Sequence, residues 1–254
     1  MPTFNYQNIR TLQVEITSDC NAACPQCPRN VYGGQTVPNL PINRWSVTDL
    51  PKMFRNNFVA NLDLIYFCGT YGDPLMHPQV LQIADWFKQR NPMVKIGIHT
   101  NGGVGRNQTY IDLAKVVDFI AFGIDGLDDT NHIYRRRVKW NRVMSHAESF
   151  ISAGGKAKWD YIVFEHNQHQ IECRSSRFWI KMEMRNTGYT RHPTTSTSTK
   201  KLLCQIRKHC YKPRFLVMHS VSMRFTWPPM AWCFPVDGYT IVCMAQKLKA
   251  PRIT

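Results

Sequence analysis

Five short apolar, β-rich runs, Leu12 to Thr17, Leu64 to Gly69, Val94 to Thr100, Phe119 to Asp125 and Lys158 to Phe164, alternate with segments of helical period. That rhythm constrains the fold more than any other feature of the chain. Strands separated by helices do not pair as tight hairpins, so they imply βαβ units and a parallel sheet covered by helices. The helices are legible one by one. Val80, Leu81, Ile83, Ala84 and Phe87 form a stripe at three- and four-residue steps after Pro78, which suits a first helical turn. Ile111, Leu113, Ala114, Val116 and Val117 form a second stripe, and Val143, Ala147, Phe150 and Ile151 a third that ends at Gly154-Gly155. A further helix is expected over about Val47 to Asn57, kinked or starting late because of Pro51. The segment from Pro28 to Trp45, rich in Gly, Pro and Asn, reads as a loop over a site.

Binding residues in a parallel α/β sheet gather at the carboxyl ends of the strands. The first strand runs into Cys20-Asn21-Ala22-Ala23-Cys24-Pro25-Gln26-Cys27. Soft thiolates suit iron–sulfur clusters, which normally use four cysteines, so three on one short loop can hold three irons of a four-iron cluster and leave one open. The second strand runs into Gly69-Thr70-Tyr71-Gly72-Asp73-Pro74, the third into His99-Thr100-Asn101-Gly102-Gly103 and the fourth into Gly123-Ile124-Asp125-Gly126.

The spacing C-x-x-x-C-x-x-C after a first strand resembles the signature of the radical S-adenosylmethionine (radical SAM) superfamily. The fuller string CNAACPQCPRN resembles its peptide- and cofactor-modifying, SPASM-like branch. The resemblance covers about Arg10 to Gln170. It implies a partial (βα) barrel with five readable units of about six, and a [4Fe-4S] cluster on Cys20, Cys24 and Cys27. In that family the open iron chelates the amino and carboxylate groups of S-adenosylmethionine, and an electron from the reduced cluster releases a 5′-deoxyadenosyl radical that abstracts hydrogen from the substrate. The implied partners are a reducing electron donor and a peptide or small-molecule substrate. No residue is singled out for the chemistry on the substrate itself.

The same resemblance assigns the strand ends to S-adenosylmethionine. Gly69, Thr70, Gly72 and Asp73 stand where the family has glycine-glycine-glutamate-proline, with backbone that a ligand can approach and Asp73 as an acceptor for an ammonium group. Thr100 and Asn101 resemble a threonine-asparagine-glycine segment near the ribose, although Asn-Gly is also a strong turn dipeptide. Asp125 resembles the aspartate of a serine-x-aspartate ending, with Gly123 where the serine often stands; it equally caps a helix or begins a turn with Gly126. Gln26 replaces an aromatic residue that many members place near the adenine. The run Arg135-Arg136-Arg137 reads better as a solvated loop than as a carboxylate site.

Other chemistries fit less well. A zinc site on Cys24 and Cys27, completed for example by Cys20 and Cys68, lacks the second C-x-x-C pair that such sites usually carry. Nine cysteines is an odd number, no signal peptide opens the chain, and 254 residues bury a core without staples, so a disulfide framework is not expected. His77, His99, His166 and His169 form no hydrolase motif. No apolar run approaches the roughly 18 residues of a membrane span, and a cytoplasmic protein is expected.

The formal charge of +15 is uneven: Ile171 to the end holds 15 Lys plus Arg against 3 Asp plus Glu, leaving 17 against 14 in residues 1–170. A nucleic-acid binder would therefore depend on the tail, and is not the expected class. The chain accordingly divides into a core, 1–170, and an irregular tail, 171–254, in which Thr194 to Thr199 is a Thr/Ser tract and both periodicities are lost. Cys173, Cys204, Cys210, Cys233 and Cys243 show no coherent metal spacing. A slip of the coding frame near Gln170 accounts for the abrupt change better than an auxiliary cluster does. The remaining alternative is an iron–sulfur or zinc binding module without turnover.

Overall fold

Each apolar run becomes a strand: β1 (Thr11–Glu15), β2 (Leu64–Phe67), β3 (Lys95–Thr100), β4 (Phe119–Gly123) and β5 (Ala157–Val163). This computed structural model describes residues 6–170 and the strand backbones of 183–189, 231–236 and 240–245. The five strands are hydrogen-bonded in sequence order and parallel, with Leu12 beside Ile65, Ile65 beside Ile96, Ile98 beside Ile120 and Ile120 beside Ala157. Between them run α1 (Leu50–Met53), α2 (Asn56–Ala60), α3 (Val80–Arg90), α4 (Asn107–Leu113), α5 (Asn131–Tyr134) and α6 (Trp140–Ser152).

Alternation along each strand divides the sheet into two faces. Leu12, Val14, Ile65, Phe67, Ile96, Ile98, Ile120 and Phe122 are buried in the main core. Phe67 meets Phe87 of α3, and Phe122 meets Tyr110 of α4 and Phe150 of α6, so this is the helix-covered face. The other face carries Gln13, Glu15, Tyr66, His99 and Asp160, polar groups in the positions that a partial barrel turns inward.

The helix expected over Val47 to Asn57 is broken, and not at Pro51. Pro51 sits in the first turn of α1, where its missing N–H costs nothing. The break falls at Phe54 and Arg55, both extended, because Phe54 turns inward among Trp45, Phe58, Trp86 and Phe87. Helix α4 also ends earlier than its stripe: Tyr110 and Leu113 face the core, whereas Val117 reaches it from the turn beyond. Helix α6 stops ahead of Gly154, whose φ of 88° suits the left-handed C-terminal cap.

Beyond Gln170 the sequence reads as irregular, yet the sheet continues on both sides. The backbone of β6 (Glu183–Tyr189) is parallel to β5; of the pair β7 (Ala231–Val236) and β8 (Thr240–Ala245), β8 is parallel to β1. The full order is β6-β5-β4-β3-β2-β1-β8-β7. The Thr/Ser tract, and the side chains of the five later cysteines on which an auxiliary cluster would depend, lie outside the described residues.

Candidate functional site

The cysteine loop leaves β1 through Ile16 to Asp19 and lies across the carboxyl ends of the strands, each of its three sulfurs beside a different neighbour. Cys20 Sγ is 3.8 Å from Asn101 Nδ2 after β3, and Cys27 Sγ is 3.6 Å from the Thr70 carbonyl oxygen after β2. Cys24 Sγ is 3.9 Å from Nη1 of Arg135, at the end of α5. The loop is held by its own turn, Cys27 N donating to Cys24 O (3.1 Å), and by Ala23 N donating to Arg136 O (3.0 Å). Arg136 and Arg137 donate in turn to the carbonyls of Tyr32, Gly33 and Gly34, so residues 134–137 clamp the Pro28 to Trp45 loop from outside.

Backbone meets backbone beneath the second strand ending. A Cβ on Gly72 would lie 1.8 Å from the Thr17 carbonyl oxygen, and one on Gly69 2.5 Å from the Gly72 carbonyl oxygen, so only glycine allows this approach. Glu15, 4% exposed, accepts from Tyr71 N at 2.6 Å and Gly72 N at 2.8 Å. Arg29, 4% exposed, donates to the carbonyl oxygens of Ser18 and Tyr71 and faces Asp19 at 3.7 Å, joining the same two segments.

The buried carboxylates work within the protein. Asp73 accepts from Leu75 N (3.0 Å), Asn101 N (2.8 Å) and the Thr100 hydroxyl (2.9 Å), so it fastens the endings of β2 and β3. The Thr100 hydroxyl also accepts from Gly102 N (3.0 Å). These contacts tie Asp73 and Thr100 to each other and to the backbone of both strand endings. Asn101 stays at the cysteine loop, where its Nδ2 donates to Asn21 Oδ1 (2.8 Å). Asp125 accepts from Ile162 N (2.7 Å) and from Arg135 Nε (2.6 Å) and is fully buried. Arg135 thus departs from the solvated-loop reading; Arg136 and Arg137 are exposed.

Residues 14–172 match the family described as the Radical SAM superfamily. The chain belongs to that superfamily. It is thereby placed among enzymes that use S-adenosylmethionine and an iron–sulfur cluster. The chain is 27% identical over 126 residues to the tungsten-containing aldehyde ferredoxin oxidoreductase cofactor-modifying protein of Pyrococcus furiosus, covering 49% of this chain and 33% of that one. It is similar in fold to Streptococcus suis SuiB bound to S-adenosylmethionine, with TM-score 0.59, 16% identity and coverage of 79% of this chain and 47% of SuiB. SuiB bound to its precursor peptide SuiA gives TM-score 0.52 at 17% identity, over 64% of this chain and 35% of that one. The chain therefore spans less than half the length of these relatives. Among the described residues no helix is long and apolar enough to cross a membrane.

The donor set fits the radical SAM cofactors. Burial pushes the Cys20 thiol up to about 12, helped by the nearby Asp73 charge, and raises Cys24 against the opposing Arg135 guanidinium. Buried thiols of this kind lose their protons to a bound metal rather than to water. Among the described residues no three His, Cys, Asp or Glu side chains are gathered as a single-ion site.

Sequence reasoning missed Glu15 and misjudged Arg135. Glu15 reads as the polar end of a strand, and its signal is only that it alternates onto the inward face two residues after Gln13. For Arg135 the signal was Gly123: a Cβ there would come 2.5 Å from Arg135 Nη2, so the absent side chain leaves room for the guanidinium.

Proposed function

We propose that this chain is the core of a radical SAM enzyme that holds a [4Fe-4S] cluster through Cys20, Cys24 and Cys27 and binds S-adenosylmethionine over the Gly69 to Gly72 backbone. One observation carries this reading: the three sulfurs of the CxxxCxxC loop sit beside Asn101, Arg135 and Thr70, contributed by three separate segments at the carboxyl end of one parallel sheet. When bound, the cluster and S-adenosylmethionine supply a 5′-deoxyadenosyl radical that takes a hydrogen atom from the substrate. The protein's part is positional. Glu15 and Arg29 shape the Gly69 to Pro74 loop, Asp73 and Thr100 lock it to the β3 ending, and Asp125 holds Arg135 against the cysteine loop. We take residues 1–170 as this core, whose sheet the backbones of β6 and β8 extend at its two edges, and leave 171–254 without an assigned role.

The substrate we infer is a peptide or a small molecule. The cofactor-modifying name of the Pyrococcus relative and the precursor peptide bound by SuiB both support that class. The inward polar row of Tyr66, His99 and Asp160, with His99 Nδ1 at 3.4 Å from Asp160, is chemistry suited to a polar group rather than to a lipid. An external one-electron reductant is implied.

Anaerobic reconstitution with iron and sulfide, followed by dithionite and S-adenosylmethionine, is expected to yield 5′-deoxyadenosine, and Cys24→Ala to abolish it. A cluster without product would leave a non-catalytic iron–sulfur module. Bound zinc in place of a cluster would return the cysteines to a zinc site.

A further inference from the structure

Arg135 joins three groups. Its Nε donates to Asp125 Oδ2 at 2.6 Å, its Nη1 points to Cys24 Sγ at 3.9 Å, and its Nη2 occupies the space over Gly123 where a Cβ would intrude to 2.5 Å. Asp125 is fully buried and fixed on its other oxygen by Ile162 N at 2.7 Å. If the guanidinium swung away, it would leave that buried carboxylate uncompensated, so its place is strongly defended.

We infer that Arg135, aimed by Asp125 through the gap at Gly123, is a positioning residue that raises the reduction potential of the iron–sulfur cluster by holding its positive charge at the Cys24 sulfur. The inference rests on the reading of Cys24 as a cluster ligand. Reduction adds one electron to the cluster and no proton need move. A fixed cation beside a ligating sulfur stabilises the more negative, reduced state more than the oxidised one, and hydrogen bonds to cluster sulfurs act in the same direction. Asp125 offsets part of that charge, but it meets the Nε edge of the guanidinium while Nη1 faces the sulfur. The glycine that replaces the family's serine is then a requirement of the arrangement: it is the space in which the guanidinium sits.

The test is a redox titration of the reconstituted full chain without S-adenosylmethionine, using dithionite with mediators and the electron paramagnetic resonance signal of the reduced cluster. Arg135→Gln is expected to lower the midpoint potential, with Arg135→Lys between it and the wild type. Gly123→Ala keeps the arginine but pushes its flexible end away from the sulfur, and is expected to shift the potential in the same direction at unchanged iron content. Equal potentials for wild type, R135Q and G123A at equal iron content would overturn the inference. Loss of the cluster from both variants would also overturn it, because Arg135 would then only support the loop. A wild-type chain that assembles no cluster would instead remove the cysteine reading beneath it.

Discussion

Glu15 Oε1 accepts the backbone N–H groups of both Tyr71 and Gly72, at 2.6 and 2.8 Å, so the last residue of the first strand shapes the loop after the second. Burial raises the Glu15 pKa, and the loop's backbone donors together with Arg29 pull it back down. Glu15→Ala leaves those N–H groups without their acceptor, at a cost of about 1–3 kcal/mol. Thermal unfolding is expected to show that loss, and equilibrium dialysis a roughly tenfold or greater weakening of S-adenosylmethionine binding. Glu15→Gln keeps an acceptor oxygen and should retain most of both. Unchanged binding in Glu15→Ala would detach this loop from the ligand.

Gly72→Ala tests the backbone approach directly. Its Cβ would lie 1.8 Å from the Thr17 carbonyl oxygen and 3.0 Å from Ser18 Cα, and main chain cannot step aside as a flexible side chain does. The expected cost is about 1–3 kcal/mol of stability, measured by denaturant unfolding, with a cysteine loop that reconstitutes poorly. Gly154→Ala is the control, since nothing lies within 4 Å of a Cβ there and only its φ of 88° is strained.

Cys68 separates the cluster from the zinc alternative. Its sulfur accepts from Gln13 Nε2 at 3.1 Å, and burial, with the charges of Glu15 and Asp160, pushes its pKa up to about 12. What sets Cys68 apart is its place: it follows β2 rather than standing on the cysteine loop, and its sulfur is engaged by Gln13 of β1. Cys68→Ala should therefore keep the full iron content of reconstituted protein, while Cys20→Ala and Cys27→Ala lose it by metal analysis. Metal lost from Cys68→Ala, with zinc as the metal in wild type, would reverse the assignment.

His77 gives stability a pH dependence whose sign is fixed by its contacts. The ring is 2% exposed, with Nε2 at 2.7 Å from the Trp45 carbonyl oxygen and Nδ1 accepting from Gln79 N at 3.0 Å, which requires the neutral form. Burial lowers its pKa from 6.5, the Trp45 contact opposing and Arg44 assisting. A depressed folded-state pKa contributes stability that is present above the unfolded value and lost as pH falls through the folded one. The melting temperature should thus decline as pH drops from about 7 to about 5, and His77→Gln should start lower but decline less. Equal slopes for the two proteins would place the titration elsewhere, for example at His146, a buried histidine whose pKa burial also lowers.

The strands were legible because a buried parallel strand writes itself as a short apolar run: Leu12, Val14 and Ile16, or Ile96 and Ile98, need no tertiary knowledge. The break at Phe54 was not, since the inward turn of that ring follows from Trp86 and Phe87 more than thirty positions ahead. At the site, the cysteine spacing and the strand-end glycines were readable from local pattern alone. What the pattern could not tell was the direction of the carboxylates. Asp73 is bonded to Asn101 N, and Asp125 to Ile162 N and Arg135, contacts that the strand-end pattern does not announce. Of the strands after Gln170, Glu183 to Tyr189 alternates no apolar face, whereas Ala231 to Val236 and Thr240 to Ala245 are apolar runs lying inside a stretch read as irregular.

The bond from Ala23 N to Arg136 O, with the grip of Arg136 and Arg137 on Tyr32, Gly33 and Gly34, also has a kinetic side. The cysteine loop lies near the amino terminus, but its clamp is made from residues more than a hundred positions later. On a growing chain the loop must wait, unclosed, until β4 and α5 have been synthesised and have joined the sheet. Closing so long a loop is a late event, paid for by contacts already formed elsewhere. On the proposed assignment of the three cysteines, loading of iron and sulfide would follow folding of the α/β frame.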